Sequence, residues 1–231
     1  MPEILVTGAN RGIGLELARQ YAADGWRVNA CCRDPEGAGE LRSLAASADG
    51  RIVLHRLDVT DDDQIAALAA RLNGRPIDIL FNNAGVYGQV DAWFGNTRRD
   101  DWLAALNVNT ISPMKVMEAL VDNVADSELK LIATLSSKMG SMADNRSGGS
   151  YVYRSTKAGL NAVMVSAAHD LKPRGITAVI LHPGWVRTDM GGPNGEISAA
   201  ESVAAMRRTL SRVGPEDAGS FYEIDGSIIP W

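Results

Sequence analysis

The chain has 231 residues, 45% of them hydrophobic and 22% charged, with a formal net charge of −5. This length fits one domain or two, and the apolar fraction is enough for a real core. The negative balance argues against nucleic acid or an anionic membrane as partner, and no apolar run approaches the roughly 18 residues of a membrane span.

The chain is strand-like from about Ile4, which leaves no room for a charged and apolar leader. No secretion signal is read, and a cytoplasmic protein is expected. Short runs rich in β-branched residues then recur: ILVTG (4–8), WRVNACC (26–32), RIVLHRLDV (51–59) and IDILFNNAG (77–85). LKLIATLSS (129–137), TAVILHPG (177–184) and a last run near SFYEI (220–224) complete the set. Helical patterns lie between them: GIGLELARQYAADG, TDDDQIAALAARLNG, a long stretch over about 97–125, the segment through Asp170, and SAAESVAAMRRTLSRV. Ser198 with Glu201 three residues on predicts a capping box for the last helix.

Strands this apolar, alternating with helices, predict an α/β fold. The expected form is a single-domain, Rossmann-type, doubly wound parallel sheet of about seven strands with helices on both faces. One domain is expected over 1–231, because no repeat, low-complexity tract or Pro/Ser-rich linker interrupts it. Only WVRTDMGGPNGEIS, residues 185–198, reads as a long irregular loop, and such loops often cover a site. Cys31 and Cys32 are adjacent, which disfavours a bridge between them and predicts buried strand thiols. His55, His169 and His182 have no metal-ligand spacing, so no metal is expected.

The first strand runs into TGANRGIG, with glycines at 8, 12 and 14, and opens a helix. Glycine there lets the backbone turn sharply and approach a pyrophosphate seated on the helix N-terminus. The spacing differs from the G-x-G-x-x-G of most dinucleotide folds. In "SYVYRSTKAG", residues 150–159, Tyr153 and Lys157 are four apart and share a helix face, whereas Tyr151 has Ser155 at that place. A free phenol has a pKa of about 10, and a cation on its face is expected to lower it toward useful proton exchange.

Thr7 through Gly14 matches the pattern TGxxxGxG, and on this ground the chain resembles the short-chain dehydrogenase/reductase family. The resemblance continues through Asp58-Val59 after the third strand, NNAG (82–85), Asn109 in "NVNTISP", Ser137 in "SSKMG", the Y-x-x-x-K of Tyr153 and Lys157, and His182-Pro183-Gly184. "GGSYVYRSTKAGLNA", "HPGWVRTDMGGPNG" and "FYEIDGSIIPW" are similar to the small carbonyl reductases of the sniffer and C-signal type within that family. The interval from Ser137 to Tyr153 is longer than is usual there, by an insertion in SMADNRSGG that bears on pocket shape.

The resemblance implies four catalytic residues. Tyr153 is the general acid, Lys157 supports the phenol and holds the nicotinamide ribose, and Ser137 donates to the substrate oxygen, with Ser136 its rival. Asn109 kinks a helix and holds water in a proton relay, with Asn107 the competing candidate. Cofactor contacts are expected from Gly8, Asn10, Arg11, Gly12, Ile13, Gly14, Arg33, Asp58, Val59, Asn83, Ala84, Gly85, Tyr153, Lys157, Pro183, Gly184, Val186 and Thr188. Tyr151, Met139, Trp185 and Met190 are candidate pocket walls or plain packing.

An acid at the end of the second strand selects NAD, whereas Arg accommodates a 2′-phosphate. Arg33 follows Cys32 and Arg11 lies in the glycine turn, so NADP(H) is expected over NAD. Asp34, with its side chain expected to point away past Arg33, is the rival reading. The function expected is an NADPH-dependent carbonyl reductase acting reversibly on a small ketone, aldehyde or quinone. Two alternatives stay open: an NAD-linked alcohol or dihydrodiol dehydrogenase, and a nicotinamide-binding, C-signal-like signalling protein. Ala158, Gly159 and Ala162 make a small-residue side that packs either the core or a partner subunit. The family resemblance implies a homodimer or homotetramer.

Overall fold

In the computed structural model, which describes residues 1–231, strands and helices alternate along the chain. The first half comprises β1 (Glu3–Thr7), α1 (Gly12–Ala23), β2 (Arg27–Cys32), α2 (Gly39–Ala46), β3 (Ile52–Arg56), α3 (Asp62–Arg71) and β4 (Ile79–Asn82). The second comprises α4 (Arg99–Leu106), α5 (Ser112–Ala125), β5 (Leu131–Leu135), α6 (Tyr151–Leu171), β6 (Thr177–Leu181), α7 (Ala199–Leu210) and β7 (Phe221–Tyr222). The strands form one seven-stranded sheet in the order β3-β2-β1-β4-β5-β6-β7, and every pairing is parallel.

Period-two alternation divides the core between the two faces. Ile4 and Val6 of β1 pack with Leu17, Leu41 and Val203, from α1, α2 and α7. Leu5, between them, points the other way and packs with Ile65, Leu120 and Leu160, from α3, α5 and α6. Each fully buried Leu or Ile stabilises by roughly 1.5–3 kcal/mol, so the sheet needs cover on both sides.

Three elements differ from the sequence reading. α2 is not foreseen, because Leu41 is its only fully buried residue and one anchor shows no stripe. The stretch over 97–125 is two helices, α4 and α5, joined by a π-turn at Asn107–Ile111. The 185–198 segment has its ends tied together, Val186 bridging to Ile197 and the Arg187 amide donating to the Ile197 carbonyl at 2.8 Å. The capping box of α7 forms as expected, Glu201 N donating to Ser198 Oγ and Ser198 N to Glu201 Oε2. No helix is long and apolar enough to cross a membrane.

The order of strands reverses between β1 and β4. The crevice beyond their carboxyl ends is where open α/β sheets bind ligands.

Candidate active site

The glycine turn closes tightly over the end of β4. Gly8 (φ +67°) and Gly12 (φ +54°) adopt left-handed backbone that other residues resist. A Cβ on Gly14 would stand 2.2 Å from the Gly8 carbonyl oxygen and 2.6 Å from Asn83 Nδ2, so no side chain fits. α1 starts without a side-chain cap, which leaves its first amides free for an anion. Asn10 and Arg11 are exposed on the turn, and Ile13 packs onto the core below it.

Asn83 locks β4 to β1. Its amide donates to the carbonyls of Thr7 at 2.8 Å and Gly8 at 3.1 Å, while Thr7 Oγ1 accepts from the amides of Asn83 and Ala84. Asn109, fully buried in the π-turn, performs a similar task one step on. Its Oδ1 accepts from Val86 N at 2.9 Å, and its Nδ2 donates to Val86 O at 2.8 Å and Thr156 Oγ1 at 2.9 Å. Gly85 sits close under these groups, since a Cβ would lie 3.2 Å from Asn109 Oδ1 and 3.7 Å from Lys157 Nζ.

Between the two tyrosines, burial decides. Tyr151 is 38% exposed at the start of α6, whereas Tyr153 is 9% exposed and faces inward. Lys157, one turn on, is buried and donates to the Leu135 carbonyl at 2.9 Å. Burial lowers its pKa to about 8. Burial also pushes the Tyr153 phenol up to about 12, opposed by the Ser137 hydroxyl and assisted by Tyr87. Desolvation is the largest influence on the phenol, and the Lys157 ammonium stands 5.9 Å from its ring centroid.

Ser137 ends its strand run with its hydroxyl accepting from Met139 N at 3.2 Å. Its rival Ser136 is buried with Oγ unpartnered. Gly140 lets this turn lie against α6, since a Cβ there would meet the Lys157 backbone at 2.9 Å.

The 185–198 segment reaches back to the glycine turn. Thr188 lies over Gly12, where a Cβ would come within 3.3 Å of its Cγ2, and Arg11 pairs with Asp189. Gly184 (φ +79°) is crowded by Ile197 and Ile224, Pro183 O accepts from Ser202 Oγ at 2.6 Å, and Val186 is buried. Arg33 is exposed beyond β2. The Asp34 carboxylate folds back over Gly37, whose Cβ would stand 2.3 Å from it. Asp58 is half-buried and accepts from both the amide and the hydroxyl of Thr60, beside a half-buried Val59. Trp185 is half exposed with its indole N–H donating to Gly191 O at 2.8 Å, Met190 is 49% exposed, and Met139 is half-buried. Gly159 is half-buried, and a Cβ on it would come within 3.3 Å of Thr110 Cγ2.

Three residues outside the sequence reading join this constellation: Tyr87 against Tyr153, Thr156 between Asn109 and α6, and Asp189 on Arg11. The NNAG stretch marked the loop that carries Tyr87, but no periodicity tells which residue after it turns back onto α6.

The family model for short chain dehydrogenase matches residues 2–198. The C-signal protein of Myxococcus xanthus is 39% identical over 71% of this chain and 99% of its own. Carbonyl reductase Sniffer of D. melanogaster superposes with a TM-score of 0.93 at 31% identity, covering 100% of both chains. The NADPH-bound carbonyl reductase from chicken fatty liver does so with a TM-score of 0.93 at 34% identity, covering 100% of this chain and 99% of its own.

Proposed function

Because the chain belongs to the short-chain dehydrogenase family and is an oxidoreductase of it, we propose that it is an NADPH-dependent carbonyl reductase acting reversibly on a small ketone, aldehyde or quinone. The observation that carries this reading is the burial of Tyr153 and Lys157 one helical turn apart beside Ser137, at the carboxyl end of the sheet.

The residues present fit a dinucleotide. The side-chain-free cradle of Gly8, Gly12 and Gly14 leads into the uncapped N-terminus of α1, which suits a pyrophosphate. Arg33, exposed where an acid would select a ribose hydroxyl, suits a 2′-phosphate, and Asp34 is turned away over Gly37. In this reading Asn10, Arg11, Ile13, Asp58, Val59, Asn83, Ala84, Gly85, Pro183, Gly184, Val186 and Thr188 border the same crevice. Bound there, the cofactor supplies the hydride, or accepts it in the reverse direction.

The chain's own residues manage the proton and the charge. A phenol whose pKa stands near 12 is fully protonated at neutral pH, so Tyr153 holds the proton that the carbonyl oxygen needs. Ser137 donates a hydrogen bond to that oxygen as negative charge develops on it. Lys157, largely protonated below pH 8, stabilises the phenolate left behind and is placed to hold ribose hydroxyls. Asn109 acts at one remove, tying Val86 to Thr156, the residue before Lys157.

A homodimer or homotetramer is part of the same proposal, and light scattering at micromolar concentration tests it. The functional test is NADPH oxidation against a panel of ketones, aldehydes and quinones, run in parallel with NADH. Turnover of at least one carbonyl that is lost in Tyr153→Phe supports the reading. A panel with no turnover, or a higher kcat/KM with NADH, overturns it.

A further inference from the structure

Tyr87 lies flat on Tyr153, with ring centroids 4.6 Å apart and planes 16° from parallel. Its hydroxyl reaches Ser150 Oγ at 3.1 Å, at the mouth of α6. Two features hold it there from below. Val86 before it is clamped at both amide and carbonyl by Asn109. Gly88 after it (φ +75°) is pressed so closely on the neighbouring helices that a Cβ would meet Val152 at 3.0 Å and Ala105 at 3.1 Å.

The entry to α6 needs such support. Gly148, Gly149 and Ser150 have φ of +64°, +65° and +49°, and the last is a left-handed conformation disfavoured for a residue with a side chain. In that conformation the Ser150 hydroxyl caps no amide of α6, although serine is among the best N-caps in extended backbone. The segment after β4 replaces the missing cap. Tyr87 takes the Ser150 hydroxyl, Ala92 O accepts from Tyr151 N at 3.2 Å, and the Trp93 ring covers Gly149.

We propose that Tyr87 is a positioning residue for the proton donor: its ring, stacked flat on Tyr153, fixes the orientation of the phenol. This rests on the reading of Tyr153 as proton donor. The ring also covers one face of the phenol, so a substrate carbonyl approaches from the open side. The titratable groups that face the phenol are Lys157 from α6 and Tyr87 itself, with Ser137 the polar neighbour.

The test uses the full chain and a carbonyl from the panel, with Tyr87→Leu, Tyr87→Phe and Tyr153→Phe compared. Loss of a stacked aromatic partner predicts a fall in kcat of about 3- to 10-fold for Tyr87→Leu. NADPH affinity by fluorescence titration stays within about twofold, and the solvent deuterium isotope effect on kcat grows because proton transfer becomes slower. Tyr87→Phe keeps the ring and restores most of the rate. An unchanged kcat and isotope effect in Tyr87→Leu, beside an inactive Tyr153→Phe, overturns the proposal alone. So does a Tyr87→Phe as impaired as Tyr87→Leu, or a Tyr87→Leu that loses NADPH affinity. A Tyr153→Phe that keeps its rate overturns the premise and the proposal together.

Discussion

The Lys157 ammonium donates to the carbonyl of Leu135 at 2.9 Å, so the cation of α6 is anchored to the end of β5. That anchor places it 5.9 Å from the centroid of the Tyr153 ring and 3.7 Å from where a Cβ on Gly85 would be. A flexible side chain is thereby held at the meeting point of β4, β5 and α6. The electrostatics of the site follow from this placement.

Tyr153→Phe removes the proton donor and leaves the ring stacked on Tyr87. We expect kcat to fall at least 10²–10⁴-fold, the ordinary scale of general acid catalysis, with NADPH affinity within a few-fold. Tyr151→Phe, at an exposed position, keeps most of the rate and changes KM at most. Steady-state kinetics with fluorescence titration separates the two, and an inactive Tyr151→Phe beside an active Tyr153→Phe would reverse the assignment.

Activity should fall as pH rises through about 8, where Lys157 loses its proton. The sign follows from a base whose pKa burial has lowered: below 8 the ammonium is present to stabilise phenolate, and above it the neutral amine is not. The phenol, near 12, does not titrate in this range. Lys157→Arg retains charge throughout, so whatever turnover it keeps should lack the alkaline limb. Lys157→Met should lose turnover and cofactor affinity together. A kcat–pH profile flat to pH 10 in the wild type would contradict the assignment.

Coenzyme preference should rest more on Arg33 than on Arg11, because Arg11 is engaged by Asp189. Losing a hydrogen bond to a charged group costs about 1.5–3 kcal/mol, so Arg33→Glu should weaken NADPH roughly 10- to 100-fold more than NADH. Asp189→Asn releases Arg11 and should tighten NADPH by a few-fold. Parallel titrations with both coenzymes measure this, and equal losses for NADPH and NADH in Arg33→Glu would count against a 2′-phosphate contact.

Stability should fall on acidification through His55. The ring is buried, its Nε2–H donating to Asn29 Oδ1 at 2.9 Å, and burial lowers its pKa to about 4 with help from Arg71, Arg75 and Arg27. The unfolded chain takes the proton near 6.5 and the folded chain only near 4, so protons favour unfolding across that window and the loss levels off below it. Urea denaturation at pH 7 and pH 4.5 should differ by about 2–3 kcal/mol from this residue. His55→Gln should remove most of that difference, and an undiminished difference would place the acid sensitivity elsewhere.

Much of this protein is legible in its sequence because the signals are local. Continuous apolar runs such as ILVTG and the helical patterns between them determine a parallel sheet, since each strand must bury both faces. The glycines at 8, 12 and 14 determine a side-chain-free turn, and the i, i+4 spacing determines that Tyr153 and Lys157 share a face. The tertiary structure decided what depends on distance through space. It buried Tyr153 and exposed Tyr151, raised the phenol where a nearby cation alone predicts lowering, and tied Arg11 to Asp189 across the whole chain. It also set Tyr87 on Tyr153. Desolvation depends on what the entire fold packs around a group. A contact between a loop after β4 and the entry to α6 exists only once the sheet has brought their ends together.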